Sequence, residues 1–392
     1  MSKNRKVLFV LLLISICAVT ACSEKDPVVL IDELNVKIEQ EIMGQGPSME
    51  EAGFSEASNI VNISDGNYAF EQLGEEEKNV YNEIVKTVLE QAEGIELSTK
   101  DAEVMKRAYM AVNADYGSLF WVEGYSFTSF LKDNKVIGLR FIPNYTMTRE
   151  ERKNVQDQID TVVDEWISDV SLTDSDYEKA KYVFETIIRN VDYVVESNDN
   201  QNIISVFLNR QTVCQGYACA TQYMLKQLGI ESTIITGKAN NESHAWNLVK
   251  LDGMYYYMDT TWGNSTYLDV ESNEEKFVNY NYLAMTTEEL LLTHSPSEEV
   301  ELPECGGLEQ NYYVREGKYF DTWVPDQIGQ VFRSAWEQGQ KSVSIKCATK
   351  ELYAQTMDYY IQQQKIHEYC AGLEQLYYIE NETLNVLTIS FY

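Results

Sequence analysis

Positive charge is scarce in this sequence. The 392 residues hold 31 Lys and Arg against 62 Asp and Glu, a formal net charge of −31. Such a surface repels phosphates, and no basic patch interrupts it, so no nucleic-acid partner is expected. Histidine is scarcer still, with only His244, His294 and His367. There is no Cys-x-x-Cys and no His-Glu-x-x-His, so a zinc centre lacks its ligand pattern. The expectation is no metal and no cofactor. After Ala21 no stretch is long and apolar enough to span a bilayer. A hydrophobic content of 44% still suffices for folded domains, and the length allows two or three of them.

The first residues carry an address. Lys3, Arg5 and Lys6 precede an apolar run from Val7 to Ala21 with the shape of a signal peptide. It ends Val19-Thr20-Ala21-Cys22, which resembles the lipobox of bacterial lipoproteins. That resemblance implies cleavage before Cys22 and a lipid on its thiol; the competing reading is an ordinary signal peptide cut nearby. The expected location is extracytoplasmic, on the bacterial cell membrane through Cys22. Residues 22–67 read as a polar tether, with a short amphipathic helix over Val28–Met43 ended by the Gly44–Ser48 breaker.

The densest chemistry lies in residues 211–262. Cys214 opens Cys-Gln-Gly-Tyr-Ala, and Ala218, Thr221, Met224, Leu225 and Leu228 recur at helical spacing up to Gly229. Cys214 is therefore expected in a helix's first turn. Unpaired backbone N–H groups there favour a thiolate and could bind a developing oxyanion. Gly216 would let the backbone approach a neighbour closely. Next come Ser243-His244-Ala245-Trp246-Asn247 and Met258-Asp259-Thr260-Thr261-Trp262, joined by a hairpin turn at Asp252-Gly253. Counting back from Leu251 opposite Met254 pairs His244 with Thr261 and Trp246 with Asp259. His244 and Asp259 then become diagonal neighbours on one face, within reach of each other. A thiol, an imidazole to take its proton and a carboxylate to orient the imidazole make an activated nucleophile.

These three segments together resemble the transglutaminase-like core, a branch of the papain-like cysteine enzymes. Its pattern is a Cys-x-Gly-Tyr-Ala helix start, a His-Ala-Trp-Asn strand and an Asp-x-Thr-Trp strand. The likeness covers about residues 173–296, and the whole layout resembles a bacterial cell-surface lipoprotein version of the family. It implies a catalytic triad of Cys214, His244 and Asp259, acting on amide or peptide bonds through a thioester. Gln215, Gly216, Tyr217, Trp246 and Trp262 are the candidate substrate contacts. Trp246 and Trp262 could equally pack the hairpin, and Asn247 reads as a hairpin-satisfied side chain. Some relatives use calcium, but no calcium-loop spacing appears here.

The expected fold class is α+β: a helical segment carrying the cysteine, packed on an antiparallel sheet carrying His244 and Asp259, flanked by smaller α+β domains. The expected divisions are 1–21 (signal peptide), 22–67 (tether), 68–170 (α+β), 171–300 (catalytic) and 308–392 (α+β). Of seven cysteines, Cys17 leaves with the signal peptide, Cys22 takes lipid and Cys214 reacts. Cys219, Cys305, Cys347 and Cys370 remain, as up to two disulfides or as buried thiols. His294 is expected only to follow a helix C-terminus, and His367, Lys226 and Lys238 to lie on the surface. Three functional classes compete. They are an acyltransferase or amide hydrolase, a catalytically silent binding scaffold, and a disulfide-structured surface protein. The expected partner is a protein or peptide substrate, such as a cell-envelope peptide; oligomeric state is not legible.

Overall fold

A computed structural model describes residues 38–42, 67–133, 135–171, 173–264 and 276–391. The signal-like run, Cys22 and most of the tether lie outside the described residues. Ile38–Ile42 is a strand, not the expected helix, and pairs in parallel with Phe127–Leu131. Isolated helical periodicity is weak in so short a segment, and an open sheet edge offers its backbone partners that a lone helix lacks.

The first helical pair is Glu75–Leu89 and Ala102–Asp115. Asp101 caps the second, its carboxylate accepting from Glu103 N at 2.8 Å. Ser98 and Thr99, just before it, serve the neighbouring helix. Thr99 donates to Glu76 at 2.6 Å and Ser98 N donates to Glu83 at 3.0 Å. Val122–Lys132 and Lys135–Tyr145 form the hairpin of a sheet that Ile38–Ile42 and Ile95–Glu96 complete at its edges. Arg149–Ile167 follows, with Thr148 and Glu151 in a capping box. The same device starts Asp176–Asn190, from Ser175 and Glu178.

One hydrophobic core, from Tyr68 to Tyr313 with Leu384 and Val386, joins this N-terminal part to the cysteine-bearing part. Asp115 is its polar centre. The buried carboxylate accepts from Ala69 N, Phe70 N, Tyr81 Oη and Thr233 Oγ1 at 2.9–3.1 Å. Lys226, expected on the surface, is half-buried here and donates to the Asp115 carbonyl.

The central sheet is antiparallel, in the order His294–Pro296, Ser232–Ala239, Glu242–Leu251, Met254–Met258. The helix Cys214–Gln227 packs on it, with Asn247 Nδ2 donating to Ala218 O at 3.0 Å. Leu228 ends that helix, and Gly229 follows at φ +79°.

The C-terminal part has a second core of its own, built from Phe320 to Phe391 around the sheet order Tyr319–Phe320, Ser342–Cys347, Val386–Phe391, Leu376–Asn381. Tyr312–Arg315 is a helical turn, which Asn311 caps by accepting from Tyr313 N at 3.1 Å. Among the described residues, no helix is long and apolar enough to cross a membrane.

Candidate active site

Cys214 is the first residue of its helix, and the N-cap position before it is Val213. A valine side chain has no oxygen to offer, and no acidic residue lies in the first turn. The positive end of the helix is thus left unneutralised by local side chains, which favours an anion at that end. Gly216 is required by packing. A Cβ there would collide with Thr212 Oγ1 and crowd Asn200 O and Ser205 Oγ. Tyr217 ties the helix to its surroundings: its hydroxyl donates to Val191 O at 2.8 Å and accepts from Asn264 Nδ2 at 2.6 Å.

The hairpin forms with the expected turn, Asp252 and Gly253 at φ +50° and +85°, and Leu251 opposite Met254. Pairing then stops at Asn247 opposite Met258. The expected partnership of His244 with Thr261 does not form, because Thr260–Gly263 turns into a short helix capped by Asp259. Asp259 Oδ1 accepts from Trp262 N at 3.0 Å, and Asp259 N donates to Tyr282 O at 3.0 Å. Capping removes Asp259 from the ladder but fixes its carboxylate. The other oxygen, Oδ2, lies 2.8 Å from His244 Nε2. The two residues predicted to meet do meet, by a cap rather than by strand pairing.

Both are buried, His244 at 6% and Asp259 at 0% exposure, and so is Cys214 at 0%. The segment after Asp259 runs along the cysteine helix, where Thr221 and Thr260 hydroxyls are 2.8 Å apart. Cys214, His244 and Asp259 therefore stand on three elements packed on one another, with His244 and Asp259 in direct contact. A carboxylate can only accept, so the contact places the ring proton on His244 Nε2 and a lone pair on Nδ1. Burial on its own would raise the Asp259 pKa. The charge and hydrogen bond of His244, then the hydrogen bond of His294, outweigh it and hold the carboxyl well below the usual range.

His294 is the residue that sequence reading misplaced. It is 1% exposed, on the edge strand that pairs with Gly237–Ala239. Its Nε2 lies 3.1 Å from the same Asp259 Oδ2, and its Nδ1 lies 2.8 Å from Thr293 Oγ1. Burial pushes its pKa down, and the nearby carboxylate only partly offsets that. Only its side-chain type hinted at this; its distance in sequence gave no signal. His244, Asp259 and His294 bring three metal-ligating atoms within 4.8 Å of one another. At 2.8 and 3.1 Å, however, the carboxylate oxygen accepts two N–H bonds. Zinc would need both of these contacts opened to roughly 3.3 Å, given bonds of about 2.0–2.1 Å.

Aromatic rings close around the two histidines. Trp246 stacks on His244 at 5.9 Å and meets His294 edge-on at 5.0 Å, while half-buried Trp262 lies 4.8 Å from His294. Gln215 is half-buried, donates to Cys219 Sγ at 3.4 Å and lines a cleft of about 410 Å³ with Tyr109, Tyr116 and Asn200. The five described cysteines are all buried and none is in a disulfide. Burial pushes the Cys219 thiol up to about 12, Cys305 and Cys370 to about 11, and raises Cys347.

Residues 165–260 match the family model of the transglutaminase-like superfamily. The kyphoscoliosis peptidase of Mus musculus is 26% identical over 120 residues, covering 26% of this chain and 18% of that protein. The Homo sapiens protein of the same name is 24% identical over the same shares. The chain thus spans under a fifth of the length of these relatives. A solved structure of a TGase aligns over 46% of this chain and 55% of that one, at 14% identity and a TM-score of 0.27. Residues 165–260, which include Cys214, His244 and Asp259, are thus similar to the transglutaminase-like superfamily.

Proposed function

We propose that this chain is a transglutaminase-like cysteine enzyme that acts on amide or peptide bonds of a protein or peptide substrate through a thioester. The observation that carries the reading is the buried 2.8 Å contact of His244 with Asp259, packed against the helix that Cys214 begins. His244 Nδ1 takes the proton of the Cys214 thiol, and the thiolate attacks the carbonyl carbon. The helix N-terminus, including the N–H of Cys214, stabilises the oxyanion. His244 Nδ1 delivers its proton to the departing amine, and the thioester remains. An amine then attacks to give a new amide, or water attacks to give an acid. His244 takes the proton from either, and Asp259 keeps its ring oriented throughout.

The same proposal sets the enzyme on the outside of a bacterial membrane, held by lipid on Cys22, with cell-envelope peptides as substrates. Its support is the Val19–Cys22 motif. Mass spectrometry of a cell-envelope peptide and protein pool, incubated with the wild type or Cys214→Ala, tests the chemistry. Joined amine and amide partners with loss of ammonia would show transfer, and gain of water would show hydrolysis. Identical pools with both proteins would end the enzyme reading.

The alternative is a silent binding scaffold of the cell envelope. The burial of Cys214, at 0% exposure, favours it, since a substrate carbonyl reaches the sulfur only after neighbouring groups move. Alkylation of Cys214 in the folded protein separates the two readings.

A further inference from the structure

The mechanism leaves unused one buried titratable side chain in direct contact with Asp259. His294 comes from the edge strand, far from the triad in sequence, and reaches the Asp259 oxygen that His244 uses. We propose that His294 is a positioning residue of this site, which holds the Asp259 carboxylate ionised and aimed at His244 through its Nε2–H. The inference rests on the cysteine-enzyme reading and extends it.

Three observations support it. The first is geometric. Asp259 has only two oxygens, and Oδ1 is committed to Trp262 N at 3.0 Å. Oδ2 therefore alone serves His244, and its direction is set by whatever else binds it. His294 Nε2, at 3.1 Å, is that second anchor. A carboxylate held at both oxygens does not rotate away when the imidazole changes charge. The second is the ring's other edge. Nδ1 lies 2.8 Å from Thr293 Oγ1 and the Leu290 backbone also hydrogen-bonds the ring, so the imidazole is held with Nε2 facing the carboxylate. The third is the charge state. Burial and the neighbouring His244 keep His294 neutral. A neutral donor steadies the carboxylate without competing with the imidazolium that His244 must become. The rings of Trp262, Trp246 and Tyr282 pack around His294 and fix its orientation.

The test uses the full chain and needs no substrate. The rate of Cys214 alkylation by iodoacetamide is followed against pH in the wild type, His294→Phe and His294→Gln. Phenylalanine keeps an aromatic ring but has no donor. Glutamine keeps an N–H at nearly the reach of Nε2. We expect His294→Phe to slow alkylation at neutral pH about tenfold and move its acid limb to higher pH, and His294→Gln to stay within about threefold of the wild type. Equal rates in all three, or equal losses in both variants, would overturn the positioning role while leaving an activated Cys214 intact. If Cys214 in the wild type reacts no faster than an ordinary thiol, the cysteine-enzyme reading falls and the positioning role with it. Should His294→Phe not fold, His294→Asn replaces it, since its shorter amide cannot reach Oδ2. Nitrogen-15 histidine spectra of the wild type add an independent check. A neutral ring protonated at Nε2 is expected, and protonation at Nδ1 would overturn the proposal.

Discussion

Five buried thiols share this chain, and their surroundings sort them. Cys219, Cys305, Cys347 and Cys370 are all pushed upward by burial. A thiol at about 11 holds roughly one part in 10⁴ thiolate at pH 7. Cys214 instead begins a helix with no acidic first turn. Iodoacetamide at pH 7 should therefore modify Cys214 at least about tenfold faster than any of the other four, by peptide mapping. Uniform labelling would remove the case for a nucleophile. His294 has a second consequence, for stability. An unfolded histidine titrates near 6.5, and burial lowers the pKa in the fold. The unfolded chain then binds the proton more tightly, so this contribution is complete above about pH 6.5 and is lost as pH falls below it. Asp259 acts in the same direction lower down, where its stabilisation is lost below about pH 4. The melting temperature should fall from pH 7 to pH 5 in the wild type and fall less in His294→Gln. Equal slopes would mean that His294 is not held neutral. At this scale sequence reading identified Cys214, His244 and Asp259 as a constellation, because they sit in short motifs with recognisable neighbours. His294 was lost because it belongs to no motif. Its role comes from an edge strand folding back beside Ser232–Ala239, a long-range event that leaves no local periodicity.

Elements follow their local rules until tertiary contacts compete. The helix of Cys214 ended where Gly229 predicted, and the Asp252-Gly253 turn set the hairpin register. The register count failed only past Met258, where a side-chain cap was worth more than further ladder bonds at an edge. The short helical turn at Tyr312 forms for the same reason, since Asn311 supplies a cap that β-rich composition does not announce. Gly216 illustrates the reverse, a legible need whose partner was not legible. Thr212 Oγ1 lies where its Cβ would be and is itself committed, accepting from Ser205 Oγ at 2.7 Å and donating to Asn200 O at 2.9 Å. Gly216→Ala should destabilise the protein by about 1–3 kcal/mol, as overpacking does. Thr212→Ala makes room, so the double variant should lose less than the sum of the two single losses in urea unfolding. Strict additivity would show that the two positions do not meet.

The whole molecule is divided by its cores rather than by its sequence. The segments on either side of the expected division at residue 170 share one hydrophobic core, with Asp115 where they meet. Its carboxylate accepts from Ala69, Phe70 and Tyr81 on one side and Thr233 of the central sheet on the other. Such a junction is invisible in sequence, because an aspartate at the end of a helix reads as an ordinary exposed charge. Asp115→Ala would leave those donors buried without an acceptor, at a cost of about 3–5 kcal/mol. The loss should not stay in the first unit. Thr233 lies on the strand beside the one carrying His244, so amide exchange should speed up across both 68–115 and 214–260. The C-terminal core is separate from that junction, and the C-terminal part meets the main core through Leu384 and Val386 and through Lys346 paired with Glu289. Protection in 343–391 should therefore stay near wild-type values. If exchange in Asp115→Ala rises only before residue 170, the two units fold separately, and the N-terminal one does not brace the sheet that carries the histidine–aspartate pair.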